Sequence, residues 1–262
     1  MVERAVELSF ADLFAMNVVD SAVTLACVSN EVGGHLVGNA VWTGIPLVDV
    51  LELAGPTEPA EQVMAWSVDS FSAGFSAFGA RWRSNRTCCL RNEWGAPSVP
   101  AWFSSSSGGR WAVRLRLGSQ SGWSGSSFTA MDADGYWIPR GWAKEAPIKI
   151  ASRIDVPLQS QTTPGVQAVA GVAWAPVVGV AEVEAGHRRR PVAALSIGGG
   201  VQVPVGMGEA WVQWFTHWDA EPGLHHLRVR AWDRNGVLQP PGPKHIAPDG
   251  AEGYHTRRVL VA

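Results

Sequence analysis

The amino-acid sequence predicts an α+β domain followed by an antiparallel β-sandwich. Hydrophobic residues make up 46% and charged residues 17% of the 262 positions, which is enough apolar material for one large or two modest cores. The first stretch mixes helix starts with an apolar strand, whereas short alternating strands between turn residues begin near residue 158. This change of pattern predicts two domains, residues 1–157 and 158–262.

The N-terminal elements follow from local patterns. Ser9 is placed to cap a short helix, because its hydroxyl can accept a backbone N–H of the first turn. Residues 22–28 are mostly apolar and partly β-branched, which predicts a buried strand that carries Cys27 at its C-terminal edge. Pro46 suits a first helical residue and Gly55 a helix end, so a second short helix is predicted between them.

The C-terminal region has the pattern of a sandwich. Within residues 227–232, positions 227, 229 and 231 share one face of a strand, and Asp233 to Gly236 supplies a hairpin turn. The segment from Pro157 to Pro164 is rich in Gln, Ser and Thr, and it marks the predicted domain boundary. Further strands are predicted at residues 210–218 and 257–261.

Charge and cysteine content exclude several classes of protein. With 21 Lys and Arg against 23 Asp and Glu, the net charge of −2 gives no overall field that would attract nucleic acid or anionic lipid. Two of the three cysteines, Cys88 and Cys89, are adjacent, which argues against a disulfide-stapled scaffold. Neither a signal peptide nor a membrane segment is visible, since the longest apolar tract, residues 166–181, is interrupted and short. We therefore expect a soluble chain.

Residues 75–128 are unlike both flanks. They contain seven Arg, twelve Ser and five Trp but no Lys, Asp, Ile, Met, His or Tyr. Arginine interleaved with tryptophan can bind single-stranded nucleic acid, but no recognition fold accompanies it, so no nucleic-acid partner is expected. Non-native coding is the better interpretation. Such a segment carries no selected binary pattern, which predicts poor packing, irregular backbone and exposed Trp side chains.

Two places in the sequence are candidates for metal binding. The first is a cluster of His217, Glu221, His225 and His226. A Pro-Gly pair within this cluster breaks the helical spacing of paired-histidine motifs, so surface histidines on strands and turns are the simpler interpretation. The second is Cys27, which is either a small buried hydrophobe or a thiolate ligand for a soft metal.

Several segments resemble one family of enzymes. The first segment is residues 23–34 (Val-Thr-Leu-Ala-Cys-Val-Ser-Asn-Glu-Val-Gly-Gly), the second is residues 41–47 (Val-Trp-Thr-Gly-Ile-Pro-Leu), and the third is residues 136–149, which begin Tyr-Trp-Ile-Pro-Arg-Gly-Trp. These three segments resemble the sulfite-oxidase-type molybdopterin-dependent oxidoreductases, especially the bacterial membrane-associated branch. Residues 169–174 and 230–240 are similar to the immunoglobulin-like dimerisation domain that follows the cofactor domain in that family. The resemblance implies an incomplete molybdopterin-binding domain followed by an immunoglobulin-like sandwich.

The resemblance also implies a site and a chemistry. In the family, the Cys of a Cys-x-x-Asn segment binds molybdenum through its thiolate, which matches Cys27 and Asn30, and Asp69 matches another position near the molybdopterin cofactor. The metal exchanges an oxygen atom with a small substrate while it cycles two electrons. An electron-transfer partner and a homodimer are therefore expected. Relatives are often periplasmic or membrane-anchored, and the compartment of this chain stays open.

The sequence departs from the family in two ways. Glu31 and Val32 stand where sulfite-oxidising relatives usually carry Arg, and a carboxylate there would repel sulfite. Residues 75–128 lack the segment that holds the pterin phosphate, although other reading frames permit its series of motifs, such as Met-Asn-Gly across residues 92–95. The chain as written is then an inactive enzyme, with Cys27 accessible at the rim of an open cavity. The alternative is a cofactor-free remnant that acts only as a β-sandwich association module.

Overall fold

A computed structural model describes most of the chain, and the described part is predominantly β-strand. The described residues are 2–57, 61–67, 71–76, 88–92, 113–115, 123–129, 133–187 and 210–262. Their strands are β1 (Val6–Leu8), β2 (Val19–Ala26), β3 (Val37–Ile45), β4 (Gln62–Ser67), β5 (Ser72–Ser76), β6 (Cys88–Asn92), β7 (Val113–Leu115), β8 (Trp123–Thr129), β9 (Ala151–Val156), β10 (Gln161–Thr162), β11 (Gly165–Trp174), β12 (Val180–His187), β13 (Val212–Ala220), β14 (Gly223–Asp233) and β15 (Thr256–Val261). Their helices are α1 (Phe10–Phe14), α2 (Leu47–Glu52) and a 3₁₀ turn (Ile138–Arg140).

The structure divides into two compact units. Unit 1 comprises residues 1–25, 40–147 and 247–249, and unit 2 comprises residues 26–39, 148–246 and 250–262. This division differs from the predicted domains, residues 1–157 and 158–262. The reason is that β9 pairs antiparallel with β11 and buries Ile154 in the sandwich core, so unit 2 takes in residues that precede the Pro157–Pro164 segment.

Unit 1 contains two sheets and short helices. Its sheets have the strand orders β1-β7-β8-β4-β5 and β2-β3-β6. Ser9 caps α1 as predicted, because its hydroxyl accepts the N–H of Asp12 at 3.2 Å while the Asp12 carboxylate accepts the N–H of Ser9 at 2.7 Å. Pro46 precedes α2 as its N-cap instead of forming its first residue. The α+β prediction is correct only in part, since α1 and α2 span 5 and 6 residues.

Unit 2 is a β-sandwich. One sheet has the order β10-β15-β14-β12 and the other β13-β11-β9, and the two share a core of Trp, Val, Leu, Ile and Ala side chains. The predicted alternation in β14 is confirmed, because residues 227, 229 and 231 are buried between more exposed neighbours. The predicted turn at Asp233 to Gly236 is also present, with the N–H of Gly236 donating to the carbonyl of Asp233 at 3.0 Å.

Residues 75–128 are described only in part. The described parts of that segment are β6, β7, all but the last residue of β8 and the end of β5. The irregular backbone expected across the segment stays a prediction. The other residues of the segment, and the exposure of its Trp side chains, lie outside what the structure describes. Among the described helices, none has the length and apolar character needed to cross a membrane.

Candidate functional site

Cys27 lies directly after β2 in a hairpin connection that belongs to unit 2. We call residues 26–39 the cysteine loop. The backbone N–H of Cys27 donates to the carbonyl of Leu36 at 2.9 Å, so the two sides of the loop stay paired beyond the strand. The thiol is exposed, as expected, and its Sγ lies 2.9 Å from the hydroxyl of Ser29. An exposed sulfur with a hydroxyl neighbour is available to an external ligand, unlike a core cysteine.

Asn30 shapes the loop from within. Its backbone N–H donates to the carbonyl of Cys27 at 3.0 Å, and its side-chain Oδ1 accepts the N–H of Leu36 at 2.8 Å. A Cβ on Gly34 would lie only 2.7 Å from that same oxygen, so glycine is needed there. The carboxamide of Asn30 is therefore committed to the loop backbone.

The turn at Gly33 is covered by His255, the residue that directly precedes β15. Gly33 has a φ of +75°, and a Cβ added there would lie 2.4 Å from the His255 ring. The Nδ1 of His255 accepts the backbone N–H of Ile154 at 2.9 Å. Burial, reinforced by the positive charge of Arg257, lowers the pKa of His255 to about 4. The ring is neutral near pH 7, and its proton lies on Nε2 because Nδ1 is an acceptor.

Arg153 binds the next residue of the loop. Its Nη1 donates to the carbonyl of Gly34 at 2.9 Å, and its Nε donates to Asp155 at 2.6 Å. The Arg153 side chain is 11% exposed, so a fixed carboxylate partner offsets the cost of burying most of its charge. Sequence reasoning missed both His255 and Arg153. The adjacent glycines Gly33 and Gly34 indicate that the loop is tightly approached, but they do not identify the approaching side chains.

The other predicted site residues are not brought to this loop. Asp69 lies outside the described residues. In the predicted histidine cluster, His225 is buried instead of at the surface: its Nε2 pairs with the carbonyl of Glu221 at 2.7 Å, and its ring packs on Trp218 with centroids 4.9 Å apart. No group of three or more potential metal-binding side chains occurs in the described part of the chain.

The family comparison covers the cysteine loop. Residues 1–88 match the family model of the oxidoreductase molybdopterin binding domain. This match covers about the first third of the chain. The matched residues include Cys27 and Asn30 and end at the first residue of β6. No curated protein sequence matches the chain.

Two solved structures extend the comparison. The sulfane dehydrogenase SoxCD from Paracoccus pantotrophus is similar in fold, with a TM-score of 0.67 and 15% identity over 97% of this chain and 74% of that chain. Fibronectin(III)-like modules of CbhA from Clostridium thermocellum align with 42% of this chain and 94% of theirs at 15% identity, with a TM-score of only 0.25. The predicted family and the molybdopterin cofactor are confirmed, and the molybdopterin binding domain supports a molybdenum-dependent redox function. Membership of the membrane-associated branch stays a prediction.

Proposed function

We propose that this chain is a molybdopterin-dependent oxidoreductase that transfers an oxygen atom to or from a small substrate, with the Cys27 thiolate as the protein ligand of molybdenum. The observation that carries the proposal is the exposed thiol of Cys27 within the residues that match the molybdopterin binding domain. An electron-transfer partner is part of the proposal, since two electrons must leave or enter the protein in each turnover.

The donor set near Cys27 fits this cofactor. A metal held by protein side chains alone needs three or four ligands, and the described residues offer no such group. Molybdopterin brings its own sulfur ligands, so one soft thiolate from the protein completes the set. The Ser29 hydroxyl, 2.9 Å from Sγ, can donate to the ionised sulfur and stabilise the charge that a metal ligand carries.

The bound cofactor would supply a two-electron redox change coupled to oxygen transfer, and the chain's own residues would orient it and select the substrate. Asn30 fixes the backbone from Cys27 to Leu36, which limits the directions available to the sulfur. Glu31 is exposed, and its carboxylate opposes the approach of a doubly charged anion such as sulfite. A neutral small substrate suits this loop better.

Metal content tests the proposal. Full-length protein purified from a host that makes the molybdenum cofactor is expected to contain stoichiometric molybdenum, and Cys27→Ser is expected to lose it. The double variant Cys88→Ser, Cys89→Ser is the matched control and should retain the metal. Wild-type protein without molybdenum would overturn the proposal and favour the cofactor-free association module.

Two further assignments belong to the same proposal. We infer from the family resemblance that Asp69 lies near the cofactor, so Asp69→Asn should lower molybdenum content without unfolding the chain. The sandwich of unit 2 is proposed as an immunoglobulin-like dimerisation domain, supported by its two packed, mainly antiparallel sheets. Light scattering at micromolar concentration should give twice the 28.0 kDa mass of one chain. A monomeric mass would contradict the homodimer.

A further inference from the structure

The position of the cysteine loop depends on side chains that come from the sandwich strands of unit 2. The described loop has no apolar core of its own: Val32 is 38% and Leu36 57% exposed. Its internal hydrogen bonds set its local shape, but they do not fix where the loop lies on the sandwich. Contacts at Gly33 and Gly34, the turn that follows the Cys27–Asn30 segment, tie it to the sandwich. At the far end of the loop, the N–H of Trp211 donates to Asn39 Oδ1 at 3.4 Å.

His255 occupies the central position in these contacts. One side of its ring is held by strand β9, where Nδ1 accepts the N–H of the buried residue Ile154 at 2.9 Å. The other side, Cδ2 and Nε2, lies where a Cβ on residue 33 would be, at 2.4 and 2.5 Å. The imidazole therefore fills the space between β9 and the loop, and only glycine at residue 33 admits it.

Neighbouring contacts limit movement of the loop around this point. Arg153, held by Asp155, donates to the carbonyl of Gly34 at 2.9 Å. The turn at Gly250 lies near the cysteine side of the loop, but it leaves room for a Cβ, which would lie 3.4 Å from the carbonyl oxygen of Val28. The His255 ring and the Arg153 bond therefore restrain the loop at its Gly33–Gly34 turn.

We propose that His255 is a positioning residue for Cys27: its ring, anchored on β9, holds the turn at Gly33 and thereby fixes the loop that presents the thiol. The inference rests on the proposed function, in which the Cys27 sulfur is the metal ligand. A loop that is already restrained loses less conformational entropy when its thiol binds the metal of a cofactor, so restraint before binding favours the affinity for the cofactor.

Two substitutions at His255 separate loop positioning from general stability. His255→Asn retains an acceptor for the Ile154 N–H but removes the ring edge that covers Gly33. His255→Phe retains a ring over Gly33 but leaves the buried Ile154 N–H without an acceptor. The readouts are hydrogen exchange at the amides of Gly34 and Leu36, iodoacetamide alkylation of Cys27 followed by peptide mass spectrometry, and the urea midpoint of the full chain.

We expect His255→Asn to speed loop exchange about tenfold and to change the Cys27 alkylation rate about threefold, with a nearly unchanged urea midpoint. His255→Phe should lower the midpoint while the loop stays protected. If both variants change loop exchange and midpoint in the same proportion, His255 is merely structural and the proposal is overturned. His217→Asn, at an exposed histidine of β13, is the control and should leave all three readouts unchanged.

A pair of glycines tests the ring contact directly. Gly33 and Gly236 have nearly the same φ, +75° and +78°, but a Cβ clashes with a side chain only at Gly33. Gly33→Ala should therefore lose more local protection than Gly236→Ala. Adding His255→Ala to Gly33→Ala should remove the clash, so that the double variant resembles His255→Ala with only the φ strain added. Strictly additive effects would contradict the contact.

These readouts need no bound metal, so the two proposals can fail separately. Molybdenum in the wild type, combined with loop exchange that does not respond to His255, would overturn the positioning role and leave Cys27 as ligand. The expected loop responses in a protein that never contains molybdenum would support the action of His255 on the loop and overturn the role of Cys27.

Discussion

The sandwich core and the cysteine loop belong to the same unit but are stabilised by different interactions. The core consists of alternating apolar side chains from two sheets, many of them less than 5% exposed. The loop is held by a ring over a glycine, one guanidinium bond, its own backbone turns and the side-chain oxygens of Asn30 and Asn39, which accept backbone N–H groups. Apolar burial is additive and tolerant, whereas a few directional contacts can be altered one at a time. The sandwich core thus stabilises unit 2, and the cysteine loop, which is held by few contacts, presents the Cys27 thiol.

Removing a core side chain should have the largest effect. Trp214 is 1% exposed, and Trp214→Ala is expected to lower the free energy of unfolding by about 3–5 kcal/mol, since it leaves a large cavity. Because its indole N–H has no hydrogen-bond partner, Trp214→Phe should cost much less. Urea unfolding followed by circular dichroism measures both. A loss below about 1 kcal/mol for the alanine variant would contradict the difference drawn between core and loop.

The hairpin turn after β14 is an intermediate case within the sandwich. Asp233 is 8% exposed, and its carboxylate accepts the N–H groups of Asn235 and Val237, each at 2.9 Å. Asp233→Ala should cost about 2 kcal/mol, because two backbone donors lose their acceptor. Asp219→Ala, at an exposed position of β13, is the matched control. Equal urea midpoints for the two variants would show that polar contacts matter only in the loop.

The same contrast explains what the sequence could predict. The alternation at residues 227, 229 and 231, the turn at 233–236 and the Ser9 cap are local patterns, and the structure has all three. The strand that leads to Cys27 was also predictable, although β2 ends at Ala26 and Cys27 follows it, whereas the prediction had Cys27 within the strand. The contact of His255 with Gly33 was not, because it joins distant segments and no periodicity encodes it. The compact units differ from the predicted division at residue 157 for a related reason: β9 joins the sandwich through pairing with β11, which its own sequence does not specify.

Acidification should weaken the unit through His255. Its folded-state pKa of about 4 lies below the ordinary 6.5, so the unfolded chain binds a proton first as the pH falls. The stability present above pH 6.5 is then lost progressively towards pH 4, by about 1 kcal/mol once solvent screening of the half-buried ring is allowed for. The charged and titratable groups that act on it are Arg257, Asp155, Arg153 and His35.

Urea unfolding at pH 7 and near pH 4.5 checks this expectation. His255→Asn should show a smaller loss of stability between the two pH values than the wild type. If the variant loses as much free energy of unfolding as the wild type, other groups cause the acid sensitivity. That result would contradict the role of a neutral His255 ring in holding the loop.

The smallest effect on stability is expected inside the loop. Ser29→Ala removes the 2.9 Å contact with the Cys27 sulfur and should change the free energy of unfolding by less than about 0.5 kcal/mol, because both groups are at the surface. Alkylation of Cys27 near pH 7 should become slower, since the thiolate loses a donor. Ser160→Ala is the control at an exposed serine of the same unit. Faster alkylation of the Ser29 variant would mean that the hydroxyl shields the sulfur instead.

The guanidinium bond from Arg153 to Gly34 spans 119 residues of chain, and the Ile154 N–H meets His255 a further 101 residues downstream. On a ribosome that adds about 5–20 residues per second, Cys27 is made on the order of ten seconds or more before its last restraint exists. During that interval the hairpin that carries the thiol lacks the His255 contact. Insertion of a cofactor at Cys27 is therefore expected to follow synthesis of the sandwich strands, and a chain halted before His255 would leave the ribosome with the Gly33 turn uncovered.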